Sequence, residues 1–323
     1  MTPRKAKKID PVVGLLGKNG VVTQEIARDL ICLDLGHKIK TTSQYAGIFR
    51  AGQGTVQKAF KTLEDTGAIA LESRGHLGTY LVERNLGLLW ALSGLGTVTG
   101  VMPLPNSKEF EGIATALSTL FGAEDIPLNL LHLNGSRRRV EYLKTGLADF
   151  VVLSRFSADQ VCAEDAGLKV VFTGVPNSYY ARGSLTILTS AEVEDRLDSI
   201  ERIGIDATSG DHAEITHLEF DPGLVEFVQT PYHQIPDLIL EGEIEAAVWH
   251  KTTWRVEAAS HDLRFVPLRS EAARRVSGDL GRLAILAARD DEPVLSLFGL
   301  VVDSQRFAEV QNEVIEGERI PVF

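Results

Sequence analysis

Short polar clusters punctuate the later two-thirds of the chain, and their composition limits the chemistry open to it. "PLPNSK" offers Pro105, Asn106 and Ser107, "NGSRR" offers Asn134, Gly135, Ser136 and Arg137, and "LSR" offers Ser154 and Arg155. Further on, "ATSGDH" holds Thr208, Ser209 and Asp211, "TPYHQ" holds Tyr232 and Gln234, and "VWHK" holds Trp249. Ser, Asn and Gly at the start of a helix leave backbone N–H groups that, with the helix dipole, attract a carboxylate or a phosphate. The same residue types cap helices in any protein, and Arg137 serves equally well as a solvated charge or as an anion's partner. The densest titratable run, "GDHAEITHLE", brings together Asp211, His212, Glu214, His217 and Glu219. Its two histidines stand five apart and do not share a helix face as an i, i+4 ligand pair does, so the run reads as a solvated polar segment. G-x-S-x-G, H-E-x-x-H and Walker patterns are absent from the sequence. Ser136 has no base near it in sequence. The residues therefore predict binding of a small anion, with no catalytic residue, metal or cofactor assigned.

The elements that must position these loops follow from the hydrophobic pattern. From residue 98 the chain alternates apolar strands with amphipathic helices: "VTGVMPLP", "NSKEFEGIATALSTLF", "IPLNLLHLNG", "SRRRVEYLKTG" and "LADFVVLS". That order predicts a mostly parallel sheet. A repeat lies inside it. "SRRRVEYLKTGLADFVVLS" (136–154) aligns with "YHQIPDLILEGEIEAAVWH" (232–250), matching Gly146 with Gly242 and Asp149 with Glu245. Chance likeness of two amphipathic helices is the competing explanation. A duplication predicts two α/β lobes with a cleft between them, and ligands of such sheets bind beyond the carboxyl ends of the strands. The glycines of "SGLGTVTG" (Gly94, Gly96, Gly100) lack the spacing and the strand-to-helix context of a dinucleotide fingerprint.

Charge separates the first segment from the rest. Residues 1–85 hold 13 Lys and Arg against 8 Asp and Glu, while the remainder holds 20 against 36, so +5 and −16 make up the formal net charge of −11. The 323 residues suit two ordinary domains and include no apolar run long enough to span a membrane. No secretory signal is read, and Cys32 and Cys162 read as buried thiols in a reducing cytoplasm. Within the basic segment, Thr23 is expected to cap a helix carrying Ile26, Leu30, Leu33 and Leu35, and Ser43 to open a short second helix. "GQGTVQKAFKTLEDTGAI" then aligns Val56, Ala59, Phe60 and Leu63 on one face and leaves Gln53, Thr55, Gln57, Lys58 and Lys61 on the other. Gly67 stops this helix, and "AIALESRGHLGTYLVE" reads as a hairpin. A solvated helical domain would share the charge stripe but has no need of this order of elements. Helix, turn, helix and hairpin make a winged helix-turn-helix, which places its second helix in the major groove of double-stranded DNA.

Ser43, Gly54, Thr55, Val56, Ala59, Phe60, Leu63 and Gly67 resemble the GntR-type winged-helix pattern S-x-x-x-(A/L)…G-T-V-x-x-A-(L/F)-x-x-L-x-x-x-G. The resemblance implies that Gln53, Thr55 and Gln57 face DNA and that Arg74 and His76 lie at the wing tip. Glutamine stands at 53 and 57 where many such proteins carry arginine, which favours adenine over guanine and leaves phosphate binding to Arg50, Lys58, Lys61 and the basic amino-terminal arm. The repeat, x-G-x-x-[D/E] running into an apolar strand, resembles the type 2 periplasmic-binding-protein fold, in which the phrase L-x-x-G-x-x-D recurs in each lobe. Across nearly the whole chain, "GTVQKAFKTLEDTGAI", "ESRGHLGTYLVE", "GVMPLPNS" and "IPLNLLHLNG" resemble the YhfZ family of regulators. The expected organisation is an N-terminal winged helix-turn-helix at 1–84, a linker at 85–97, and a bilobal periplasmic-binding-protein-like α/β domain at 98–323. The expected function is that of a cytoplasmic, dimeric transcriptional regulator that binds an operator and senses a carboxylate or phosphate effector. The competing class is an enzyme acting on a small anionic metabolite in the cleft, with the N-terminal domain accessory.

Overall fold

A computed structural model describes residues 17–251 and 262–322; the basic amino-terminal arm lies outside them. They divide into two compact units. One runs to Thr99 and adds Thr119–Asn129 and Arg289–Val302; the other holds Gly100–Ser118, Leu130–Ala288 and the chain from Asp303.

In the first unit, helix α1 (Lys18–Ile31) buries Val22, Ile26, Leu30 and Ile31. It starts earlier than Thr23, which is not its cap: the Thr23 hydroxyl donates to the Asn19 carbonyl at 2.9 Å, in the interior of the helix. Nor does it reach Leu35, which is exposed. Helix α2 (Thr42–Ile48) is opened by Thr41 rather than Ser43, since Thr41 and Gln44 form a capping box that satisfies two N–H groups otherwise left open. Helix α3 (Gln53–Asp65) follows a turn containing Arg50, and buries Val56, Ala59, Phe60 and Leu63. The Tyr45 ring lies 5.5 Å from that of Phe60 and ties α2 to α3. Strands β1 (Ile69–Ser73) and β2 (Thr79–Arg84) pair antiparallel around a short turn at Gly75–Leu77, which is the wing. At its base Arg84 donates to the carbonyls of Leu30, Ile31 and Leu33, closing the carboxyl end of α1. Residues 85–97, expected as a linker, hold α4 (Leu86–Ser93), which packs along α1 and buries Leu89 and Trp90.

Two five-stranded sheets follow. The first takes β3 (Val98–Met102), β4 (Leu128–His132), β5 (Phe150–Ser154) and β6 (Leu168–Thr173), with α5 (Lys108–Ala123), α6 (Ser136–Lys144) and α7 (Arg155–Glu164) between them. The second takes β7 (Leu185–Ser190), β8 (Arg202–Ile205), β9 (Glu226–Gln229), β10 (Ala246–His250) and β11 (Leu263–Pro267), with α8 (Gly210–Glu219) and α9 (Ile235–Leu240). After α10 (Glu271–Leu280) the chain returns to the first sheet as β12 (Leu283–Ala288), and α11 (Glu292–Val301) and α12 (Ser304–Ile315) follow it.

The strand orders are β4-β3-β5-β12-β6 and β9-β8-β10-β7-β11, so the two sheets correspond strand for strand. Each central strand, β5 or β10, is buried along its length and has a parallel neighbour on one side and an antiparallel crossing strand on the other. These strands occupy 150–154 and 246–250, the register of the sequence repeat. The helices before them end alike. Gly146 and Gly242 both have φ +72°. Their N–H groups reach Leu143 and Ile239, and the next residues bond back to Tyr142 and Leu238. This is the Schellman geometry that glycine adopts without steric penalty. The lobes are a structural duplication.

Candidate functional site

Two sites emerge from these elements. The first is the outer face of α3. Burial of its apolar row fixes the helix rotation, and Gln53, Gln57, Lys58 and Lys61 are thereby exposed, with Thr55 half-buried. Gln53 Nε2 donates to Ser43 Oγ at 3.2 Å, bridging α2 and α3. Among the described residues, Arg50, Lys58 and Lys61 form no ion pair, and each is free to meet a phosphate. Arg74 is differently placed. Its Nε and Nη2 both donate to Glu72 Oε2, at 2.9 and 2.6 Å, and its guanidinium lies over the Tyr80 ring. That pairing neutralises the charge at the wing tip, where His76 stays exposed. Lys40 is also occupied, by Asp29, which accepts the Tyr45 hydroxyl as well.

The second site is a cavity of about 60 Å³ within the second unit. Loops from both lobes close over it. Gly210 N–H donates to Ser136 Oγ at 3.0 Å, and Arg137 N–H reaches the Thr208 carbonyl at 3.4 Å. Gly135, at φ +83°, lets these loops meet, because a Cβ there would fall 2.7 Å from Thr208 Oγ1. From α8, Asp211 Oδ1 accepts the hydroxyls of Ser154 and Ser157, both at 2.6 Å, so the second lobe is latched to the first. Burial raises the Asp211 carboxyl above its usual range, and these two hydroxyls oppose that shift. Phe110, Tyr179, Tyr180 and Tyr232 supply aromatic walls.

Arg139, on α6, is 4% exposed and lines the same cavity. Its Nη1 donates to the Leu133 carbonyl at 3.0 Å and its Nη2 to the Tyr179 hydroxyl at 3.2 Å. Its Nε has no hydrogen-bond partner among the described residues, and no carboxylate among them lies within ion-pair distance of it. A buried guanidinium met only by neutral acceptors is costly to keep charged and is a ready binding group for an anion.

His212 beside it is saturated. Its Nδ1 accepts the Asp206 N–H at 3.0 Å, which leaves the proton on Nε2 to donate to the Val248 carbonyl at 2.9 Å. The expectation that 210–219 is a solvated polar segment is therefore corrected, since Asp211, His212, Ile215 and Thr216 are the buried face of α8. Burial pushes the His212 imidazole below its ordinary value. A base whose pKa is depressed on folding contributes stability above its unfolded pKa and loses it as the pH falls. Below about pH 6.5 the protein should lose up to about 1.4 kcal/mol per pH unit from this group. Urea midpoints at pH 7 and 5.5, compared with those of His212→Asn, measure that loss.

Of the loop residues expected to bind a ligand, Asn106, Asn134, Gly135, Ser209, Asp211 and Tyr232 line the cavity. Ser136, Ser154 and Thr208 hold the loops together. Trp249 stacks on Tyr232 at 4.5 Å and backs it. Ser107 is buried and caps α5. Pro105 is half-buried and outside the lining, while Arg137 and Gln234 are exposed. Arg155 turns to Asp159 and Thr173 instead. The sequence reading missed Arg139, Asp206, His212, Tyr179 and Tyr180.

Comparison with known proteins agrees with this architecture. Residues 86–323 match the YhfZ C-terminal domain and residues 34–81 match a helix-turn-helix domain. The uncharacterized protein YhfZ of Escherichia coli (strain K12) is 30% identical over 306 residues, covering 95% of this chain and 98% of that protein. The chain belongs to the YhfZ family. The crystal structure of YhfZ from Shigella flexneri is similar at 26% identity and a TM-score of 0.58, over 73% of this chain and 97% of that one. The periplasmic aliphatic sulphonate binding protein SsuA from Escherichia coli is matched at 13% identity and a TM-score of 0.48, over 69% and 74% of the two chains. This YhfZ-family chain joins a winged helix-turn-helix to a bilobal α/β domain, and no helix among its described residues is long and apolar enough to cross a membrane. The combination points to a DNA-binding regulator with a ligand-binding domain.

Proposed function

We propose that the chain is a cytoplasmic transcriptional regulator whose head, residues 1–84, binds operator DNA, and whose bilobal domain, residues 98–323, takes a small anionic effector. The observation that carries the effector half is Arg139, a buried cation facing a cavity with its Nε–H unspent. The exposed face of α3, with Gln57 flanked by unpaired Lys58 and Lys61, supports the DNA half. A single winged helix makes few base contacts, so a dimer on a two-fold site fits the geometry best. Effector and DNA then bias one equilibrium between an open and a latched bilobal domain, and each changes the other's affinity by the same factor.

The test uses the full chain titrated onto a random-sequence duplex at 50 and 200 mM salt. Binding through several phosphates falls by orders of magnitude over that range. A chain that ignores duplex DNA at 50 mM salt is not this regulator.

A further inference from the structure

We propose that the effector is a small zwitterion bearing one carboxylate and one ammonium, of the size of the simplest amino acids. This rests on the reading above that an anionic group of the effector meets Arg139, and adds a cationic group to that effector.

Two opposite charges remain open in the cavity once the others are accounted for. Asp206 is used up: its Oδ1 accepts the N–H and hydroxyl of Thr208, and its Oδ2 accepts the Tyr232 N–H. Both nitrogens of His212 are occupied as well, and His250, which also lines the cavity, is paired through Nε2 with the buried Glu109 Oε1 at 3.5 Å. What is left is Arg139 with an unmet Nε–H, and Asp211. Asp211 is 3% exposed, and its two hydroxyl donors both sit on Oδ1, so that Oδ2 accepts no hydrogen bond among the described residues. The two side chains line one cavity without forming an ion pair within 4 Å of each other.

A plain anion would meet Arg139 but bring its charge beside Asp211, in surroundings too apolar to screen the repulsion. A plain cation would do the reverse. A molecule with both charges satisfies both side chains and leaves neither buried alone. Size gives a second limit. The cavity is small, about 60 Å³, and takes a small ligand. The ammonium at Asp211 would also strengthen the latch from Ser154 and Ser157, which joins the lobes.

The experiment is calorimetric titration of the full-length protein, with thermal shift in parallel, against glycine, L-alanine and L-serine. Propionate, L-lactate, ethylamine and inorganic phosphate serve as partners that lack one charge or carry another. The expected result is binding of at least one amino acid, with an affinity at least tenfold above that of its matched carboxylate and of ethylamine. Asp211→Asn should erase the preference for L-alanine over L-lactate while keeping the carboxylate-dependent part. If that variant does not fold, the wild-type ranking decides alone. Propionate, lactate or phosphate binding as tightly as the amino acids overturns the zwitterion and leaves an anionic effector standing. Silence from every compound, amino acids and anions alike, overturns the effector reading with it.

Discussion

Replacing Lys58 and Lys61 together by alanine should weaken binding to every duplex, irrespective of sequence, by roughly 60-fold at 0.1 M salt. Each lysine that neutralises a phosphate releases counterions and contributes about 0.9 to the slope of log K against log salt, or about eightfold in affinity at that concentration. Both side chains are exposed on α3, on the face opposite its buried row, and neither is held by a carboxylate among the described residues. The double variant should therefore lower the salt slope by about two, as read from anisotropy titrations at several salt concentrations. Arg74→Ala should cost less, because that guanidinium is already satisfied by Glu72 and Tyr80. A slope unchanged in the lysine variant would remove α3 from the DNA interface.

Arg139→Met should separate binding from stability. Methionine approximates the volume of the aliphatic stem and removes a charge with no anionic partner within ion-pair distance. The loss of donors to Leu133 and Tyr179 costs about 1–3 kcal/mol, and relief from burying the guanidinium offsets it. The ligand-free protein should therefore unfold within about 1 kcal/mol of wild type, as measured by urea denaturation. Effector binding should fall by about 2–5 kcal/mol, some 30- to 5,000-fold, because the ligand's carboxylate would be buried without its partner. A strongly destabilised variant would make Arg139 a structural residue instead.

How much of this was legible beforehand depended on whether the signal was local. The recognition helix was readable because Val56, Ala59, Phe60 and Leu63 fix its rotation, and the lobes because a glycine stop and a buried strand recur at a constant offset. The start of α2 was misread because Thr41, two residues before Ser43, has Gln44 to complete its capping box, and that of α1 because its cap, Gly17, offers no side chain. Arg139 was hidden among three arginines, of which the exposed Arg137 looked the better ligand. A signal for it existed: Ser136, Arg139, Val140 and Leu143 form the buried row of α6, so a charge sat on an apolar stripe. Asp211 and Ile215 lie on the buried face of α8 in the same way. A charged residue in phase with an apolar face is thus the more informative mark of a cavity than a polar loop. Tyr179 and Tyr180 come from a long connection between β6 and β7, where no periodicity betrays which side chains turn inward.

Selection of a random duplex library by the full-length chain, run in parallel with Gln57→Ala, tests the regulator reading most directly. Wild type should enrich one adenine-containing sequence arranged as an inverted repeat, and the variant should enrich the same sequence with preference lost at one base pair per half-site. Recovery of unselected DNA by both proteins, or identical motifs from both, would contradict it.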